Sequence, residues 1–508
     1  MQSKLRATFL TMIISFANSI LMILFNMVYM NFMIKTYGSD VNGLISTITQ
    51  FISLFSIFEG GMTIAAVVAT FEPIAGKQFN VLNNILATAK RLLNIIGIVI
   101  IILTIPLGYI YIHSVNSPYS IIQTFILMII SLFTTVTTIS GLSKYTIILQ
   151  GHNKEYVSIL FALISKTITW AISIIMILKN YNISLVYGMN LLNIVLNIGF
   201  MKLYTVHTYP EITFKGRFDA KLIKGTGAVF FQKIANTVFT STDLVLVSVF
   251  ISLSSASVYN LYILIFKSIS TLLSSIVQAP FNSFGQIVAV KDENKLRYSF
   301  DIFMIFTVIS ASVMMAVTAC VIIPFIKIYT QRITDYNYIY PILVILFTIQ
   351  YYIQIINKPF GILLNASGLF RMQNFQCGFG AVINLFVSYF FIRYIGIYSI
   401  VIGSILALLL IMLTNIYQVS KYIIKLKVLN VISLVLYNLI LVLVIYSAML
   451  KLNLVCNNYF IWAGMSFIVL LIVTVMIISA NMIFNRKLIL EMVIYIKTAI
   501  RSQIKKKI

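Results

Sequence analysis

Apolar stretches long enough to cross a bilayer recur from Thr8 almost to the C-terminus, and this feature removes most folds from consideration. A helix needs about 20 residues to span about 30 Å of hydrocarbon. In lipid the backbone must satisfy its own hydrogen bonds, which leaves helices and closed barrels, and these runs lack the short alternation of barrel strands. With 60% hydrophobic and 9% charged residues and a mean hydropathy of +1.01 over 508 residues, a soluble globular domain is excluded, since its surface could not be kept in water. The chain reads as an all-α polytopic membrane protein of about 14 transmembrane helices. The first predicted helix, 8–34, follows Lys4 and Arg6 and is too long, with no small-residue cleavage site behind it, for a removable signal peptide. The others are expected near 41–70, 92–113, 120–148, 157–178, 183–204, 226–250, 256–286, 299–327, 339–366, 373–394, 397–419, 428–450 and 459–484.

Orientation follows from the lysines and arginines, because basic loops stay on the cytoplasmic side. One set of alternate loops and the tail carries 26 of them, the opposite set 6, and four lysines lie inside helices, together the 36 of the chain. Both termini are therefore expected in the cytoplasm. The net charge of +24 is then topology and calls for no nucleic acid. In the tail, 485–508, Leu488, Met492, Ile496 and Ile500 share one helical face among basic residues, which fits either an interfacial helix on anionic lipid or a plain topogenic tail. Cys320, Cys377 and Cys456 are scattered, as are His113, His152 and His207, so neither a disulfide framework nor a metal site is visible, and no cofactor is expected.

An ungapped shift of 217 residues lays Ile23–Leu44 over Thr240–Leu261, with Asn26 on Asp243, and Leu149–Tyr156 over Ala366–Gln373, with Gly151 on Gly368. Two stretches agreeing on one offset point to an internal repeat. The expected organisation is an N-terminal six-helix lobe at 1–204, a cytoplasmic linker at 205–225, a C-terminal six-helix lobe at 226–420, two appended helices at 421–484 and the tail.

Polar residues form stripes on these helices. Lys233, Asn236, Thr240 and Asp243 are spaced i, i+3, i+7, i+10 and share one face of predicted helix 7. Helix 8 contributes Asn260, Lys267 and Thr271, helix 10 Gln350, Gln354, Asn357 and Lys358, helix 5 Lys166 and Thr169, helix 1 Asn18 and Asn26, and helix 2 Gln50, Ser53 and Glu59. A charge at the bilayer centre costs about 2.5–3.5 kcal/mol, so four lysines in lipid would cost roughly 10 kcal/mol, and they are expected to face water or a partner. Asp243 and Lys267 are at depths that allow a structural salt bridge, and Lys233 and Lys358 are near enough to the cytoplasmic face to snorkel. Lys166 has no acid at its depth and is the leading ligand candidate. Only Glu59 and Asp243 oppose Lys166, Lys233, Lys267 and Lys358 inside the helices, so the interior is cationic and suits an anion such as phosphate.

The stretches "YGSDVNGLISTITQFISLFSIFEGGM" (Tyr37 to Met62), "LQGHNKEYVSI" (Leu149 to Ile159), "TDLVLVSVFISLSSASVYNLYILI" (Thr242 to Ile265) and "ILLNASGLFRMQNF" (Ile362 to Phe375) resemble the bacterial polysaccharide transporter or O-antigen flippase family. That family lies within the multidrug, oligosaccharidyl-lipid and polysaccharide exporter superfamily. The resemblance covers nearly the whole chain as diffuse patterns. It implies a two-lobed fold of twelve to fourteen helices in a bacterial inner membrane. Such a fold moves undecaprenyl-pyrophosphate-linked oligosaccharide to the outer leaflet by alternating access, with H+ or Na+ as coupling ion. Helices 13 and 14 would line a groove for the polyprenyl tail. In this setting Lys166, Lys233, Lys267 and Lys358 would serve the pyrophosphate or acidic sugars, with Asn26, Glu59, Asn236, Asp243, Gln350 and Gln354 as cavity and coupling residues. A multidrug antiporter would share the fold but needs acids for a cationic drug, and predicted helix 1 has none. A membrane-embedded polymerase or ligase would be an enzyme with a large outward loop. The outward segments here are short and hold no catalytic pair.

Overall fold

The computed structural model describes residues 2–59, 61–223, 237, 241–277, 284, 287–288, 292–367, 369–452, 456–492 and 494, with side chains from residue 14 onward except those of 370–374 and 484. These residues form helices α1 (Gln2–Tyr37), α2 (Ser39–Leu54), α3 (Met62–Ala75), α4 (Phe79–Ser114), α5 (Ile121–Thr137), α6 (Ser143–Gly151), α7 (Glu155–Leu178) and α8 (Ile183–Thr208). After them come α9 (Ser241–Phe250), α10 (Leu253–Val277), α11 (Glu293–Tyr329), α12 (Pro341–Ala366), α13 (Phe370–Ile395), α14 (Tyr398–Tyr422), α15 (Val428–Lys451) and α16 (Tyr459–Phe484). Among the described residues thirteen spans are long and apolar enough to cross a membrane, so this is a multi-pass helical membrane protein. Predicted helix 7, 226–250, falls largely outside the described residues, where Lys233 and Asn236 also lie.

Side chains mark where several helices begin. Ser120, Asn182, Asp292 and Asn458 each accept a hydrogen bond from a backbone N–H of the following turn, which starts α5, α8, α11 and α16. Predicted helix 2, 41–70, is not continuous. It winds into a 3₁₀ turn at Phe55–Glu59 and restarts as α3 after Gly61, whose φ of 77° suits glycine. A π-helical turn, Thr138–Leu142, joins α5 to α6.

The chain divides into two compact units, Met1–Leu261 and Tyr262–Ile508. In the first, Leu44, Ile48, Leu86, Leu93, Ile100 and Leu127 form a dry core among α2, α4 and α5. There α2 approaches the start of α10 so closely that a Cβ on Gly43 would collide with the carbonyl of Leu253. Asn42 donates to Ser257 Oγ at 2.7 Å, and Asn260 to Ser46 Oγ at 2.9 Å. Small residues permit this approach and the polar pairs hold it.

In the second unit α11 is the most enclosed of the described spans, with 72% of its apolar window buried against 17% for α16. Ile305, Ile309, Val313 and Ala316 of α11 pack with Val442, Val469, Val473 and Ile477 of α15 and α16. A buried amide pair fixes these last two helices to each other: Asn438 Nδ2 donates to Asn481 Oδ1 at 3.1 Å, and Asn481 Nδ2 to Asn438 Oδ1 at 2.8 Å. Ser312 Oγ joins the pair from α11 at 3.5 Å.

The segment expected to be a linker is a strap on the first unit. Asn83 accepts from the N–H of Thr213 and donates to the carbonyl of Glu211, both at 3.0 Å. Asn84 accepts from Arg217 N–H at 2.8 Å, and Thr88 Oγ1 from Asp219 N–H at 3.1 Å.

Several helix starts recur along the chain at 214 or 215 residues, although α5 and α12 begin 220 apart (341 − 121 = 220). Ser39 and Leu253 begin α2 and α10 (253 − 39 = 214), Phe79 and Glu293 begin α4 and α11 (293 − 79 = 214), and Ile183 and Tyr398 begin α8 and α14 (398 − 183 = 215). The sequence offset of 217 is thus two or three residues too long at these points. At 214, Asp243 answers to Tyr29 rather than to Asn26.

Candidate functional site

In the first unit the polar interior gathers on α7 and α8. Ser165 and Thr169 turn their hydroxyls back to carbonyls of their own helix, which leaves Lys166 as the one group of that stripe reaching across. Lys166 Nζ donates to Asn190 Oδ1 of α8 at a long 3.4 Å and lies 4.9 Å from the ring centroid of Trp170. Trp170 is held in turn by Phe25 at 5.0 Å and Tyr29 at 6.5 Å, so α1 supports the site through an aromatic stack. An ammonium has three donors and this one uses one, on a neutral acceptor. A cation over indole gains about 0.5–2 kcal/mol, less than an ion pair with a buried acid would supply. Along α8, Asn193 and Asn197 continue the face of Asn190 at i+3 and i+7, and the Oδ1 atoms of both are buried without a hydrogen-bond partner, as is that of Asn18.

Asp243 of α9 is buried at 6% exposure. Tyr259 OH donates to its Oδ2 at 2.9 Å, and its Oδ1 has no hydrogen-bond partner among the described residues. Lys267, considered from sequence as its salt-bridge partner, is exposed. Asn26 is exposed as well, and Glu59 accepts from Thr63 Oγ1 beside the break between α2 and α3.

In the second unit the polar interior belongs to α12, α13 and α14. Asn357 Nδ2 donates to the Leu408 carbonyl at 3.1 Å and Asn357 Oδ1 accepts from Asn415 Nδ2 at 3.4 Å, joining α12 to α14. Around this pair the carboxamide oxygens of Gln350, Gln354, Asn415 and Gln418 are buried with no partner among the described residues, and Gln376 of α13 lacks one there for either amide atom. Lys358 is half-buried on the same helix. Buried polar groups are normally paired, so a set of orphan carbonyl oxygens is what hydroxyl donors or water would complete.

Of the residues singled out from sequence, Lys166, Asp243, Gln350 and Gln354 are thus in polar interiors. Sequence reasoning missed Asn190, Asn193 and Asn197, although their i, i+3, i+7 spacing was the available signal. It also missed Tyr259, Gln376, Asn415 and Gln418, whose significance lies in which partners they have or lack.

No protein-family model and no curated protein sequence matches the chain. Among solved structures it is similar to the lipid II flippase MurJ in an inward closed conformation, with a TM-score of 0.66 and 16% identity over 96% of this chain and 100% of that one. It is also similar to an inward-facing multidrug resistance MATE family transporter of the MOP superfamily, with a TM-score of 0.61 and 13% identity over 78% of this chain and 94% of that one. A Vibrio cholerae MATE transporter, VcmN, aligns with a TM-score of 0.54 at 12% identity, covering 84% of this chain and 98% of that one. The chain therefore shares the fold of these proteins.

Proposed function

We propose that this protein is a lipid-linked oligosaccharide flippase that carries undecaprenyl-pyrophosphate-linked glycan units from the cytoplasmic to the outer leaflet by alternating access. The observation that carries the reading is Lys166, an interior ammonium held among the described residues by an amide oxygen and an indole face, with donors left for an anion. The orphan carboxamides at Gln350, Gln354, Asn415 and Gln418 are acceptors suited to sugar hydroxyls. The breadth of the similarity to the lipid II flippase, 96% of this chain against 78% for the multidrug transporter, supports the same choice. Asp243, with one oxygen bonded to Tyr259 and one free, is the group suited to a coupling H+ or Na+. Both termini and the 203–225 segment are cytoplasmic in this reading, and labelling of a cysteine at position 215 from outside intact cells would overturn that map.

The test is complementation in bacteria lacking their own polysaccharide flippase. Wild-type protein should restore surface glycan, and Lys166→Ala should reach the membrane normally yet lose export. Full export by that variant at wild-type protein levels would remove Lys166 from the site. The second reading, a multidrug and ion antiporter, is favoured by the free carboxylate oxygen of Asp243 alone. Drug resistance conferred without any glycan export would establish it over the flippase.

A further inference from the structure

We infer that the notch where α11, α15 and α16 meet binds the phosphodiester headgroup of a bilayer phospholipid, separate from the transported lipid. The notch encloses about 420 Å³. Arg297 of α11 and Lys427 at the start of α15 bring two cations to it from different helices, Arg297 near enough to act on the carboxyl of Asp301. Asn430, Ser433 and Asn485 add neutral polar groups, while Phe300, Met304 and Leu434 form an apolar wall. The lining is amphiphilic in the manner of a lipid near its headgroup.

Its depth agrees. In α11 no charged residue follows Asp301 until Lys327, and in α15 none follows Lys427 until Lys451. Each apolar interval is long enough to cross about 30 Å of hydrocarbon, so Arg297, Asp301 and Lys427 stand at the boundary between lipid and water. The first turn of α15 adds to the field. Its N-cap residue, Lys427, makes no side-chain cap; the Asn430 N–H turns back to the Lys427 carbonyl at 2.9 Å, and the positive end of the helix stands beside the notch.

The acids narrow the ligand. Asp301 lines the notch one turn from Arg297, and Glu491 is close enough to act on Asp301. A bare anion would gain from the two cations and be repelled by Asp301. A headgroup with a phosphate at one end and a hydrogen-donating group at the other satisfies both, with the phosphate on Arg297 and Lys427 and the donor on Asp301. Glycerol hydroxyls and a primary ammonium meet that description, and a choline group, with no O–H or N–H, does not.

Native mass spectrometry of the full-length protein, titrated with phosphatidylglycerol, phosphatidylethanolamine or phosphatidylcholine of matched acyl chains, tests this. One tightly retained phosphatidylglycerol or phosphatidylethanolamine per chain is expected, with phosphatidylcholine held more weakly. The pair R297A/K427A should weaken retention by about tenfold or more, the loss of a charge-assisted contact, whereas K421A/K425A, basic residues outside the notch, should not change it. Asp301→Asn should weaken phosphatidylethanolamine more than phosphatidylglycerol if the donor is an ammonium, and both alike if it is a hydroxyl; either pattern supports the site. Unchanged retention in R297A/K427A, or equal retention of phosphatidylcholine, overturns it. So does displacement of phosphatidylglycerol by much lower undecaprenyl phosphate, which would assign the notch to the transported lipid. If the double variant fails to fold, a photoactivatable phosphatidylglycerol on the wild-type protein decides: adducts within 426–437 or 485–491 are expected, and adducts only elsewhere refute the proposal.

Discussion

The interior of the first unit is built around an ammonium, and that of the second around carboxamides. Several helix starts recur at 214 or 215 residues between them, yet the chemistry does not recur with the helices. At 215, Lys166 answers to Ala381, which is 5% exposed, and Asn357 answers to Leu142. The spacing repeats the lengths of helices and loops, which the bilayer and the turns dictate. Each half is then free to place its polar residues on different helices, α7 and α8 in one and α12 to α14 in the other. One half is thereby suited to a charged group and the other to a neutral, hydroxyl-rich one.

Substitution can break this contrast. The largest effect is expected at Lys166→Ala, which should cut glycan export by about thirtyfold or more, the worth of a charge-assisted contact of about 2 kcal/mol. Its thermal stability should stay near wild type, because no buried acid is stranded, and Lys166→Arg should keep part of the activity. A large drop in melting temperature for Lys166→Ala would instead make the lysine a structural group.

Amides within the second unit should separate into two kinds. Asn438→Leu strands Asn481 and should cost about 1–3 kcal/mol of stability, read as a lower melting temperature in detergent, with much of the loss recovered in N438L/N481L. Gln350→Leu removes an oxygen that has no partner to strand. Its stability should be unchanged or higher while transport falls several-fold, a few tenths to about 1 kcal/mol. If Gln350→Leu destabilised the protein as much as Asn438→Leu does, the idea of unoccupied acceptors would fail. Asn26→Ala marks the floor: an exposed position should shift stability by no more than about 0.5 kcal/mol and leave export intact.

The membrane fold was legible because hydropathy and length alone define spanning helices, and most of their ends fall within a few residues of expectation. The interruption between Glu59 and Gly61 was hidden, since apolar residues continue on both sides and hydropathy is blind to a change of backbone direction. The repeat was visible, but its offset rested on too few identities to resolve two or three residues of loop. Lys166 was found because a lysine among apolar residues stands out in any window. Gln350 and Gln354 stood out in the same way, but Gln376, Asn415 and Gln418 did not, because what distinguishes Gln376 from Asn438 is whether a partner is within reach, and only folding decides that. For Lys267 the polar stripe fixed its face of the helix, and folding leaves the side chain exposed.

The strap over α4 bears on how force passes along the chain. A free linker of about 20 residues would behave as a soft coil with an average reach of about 25 Å, storing slack between the parts it joins. Here the backbone from Glu211 to Asp219 is fastened by Asn83, Asn84 and Thr88. At Gly216 a Cβ would come within 2.5 Å of Asn84 Oδ1, so even a methyl group would loosen the fastening. The chain is therefore fastened as far as Asp219 rather than leaving α8 as a free coil. Whatever displaces α4 carries the backbone from Glu211 to Asp219 with it, with little of the damping that a slack loop provides.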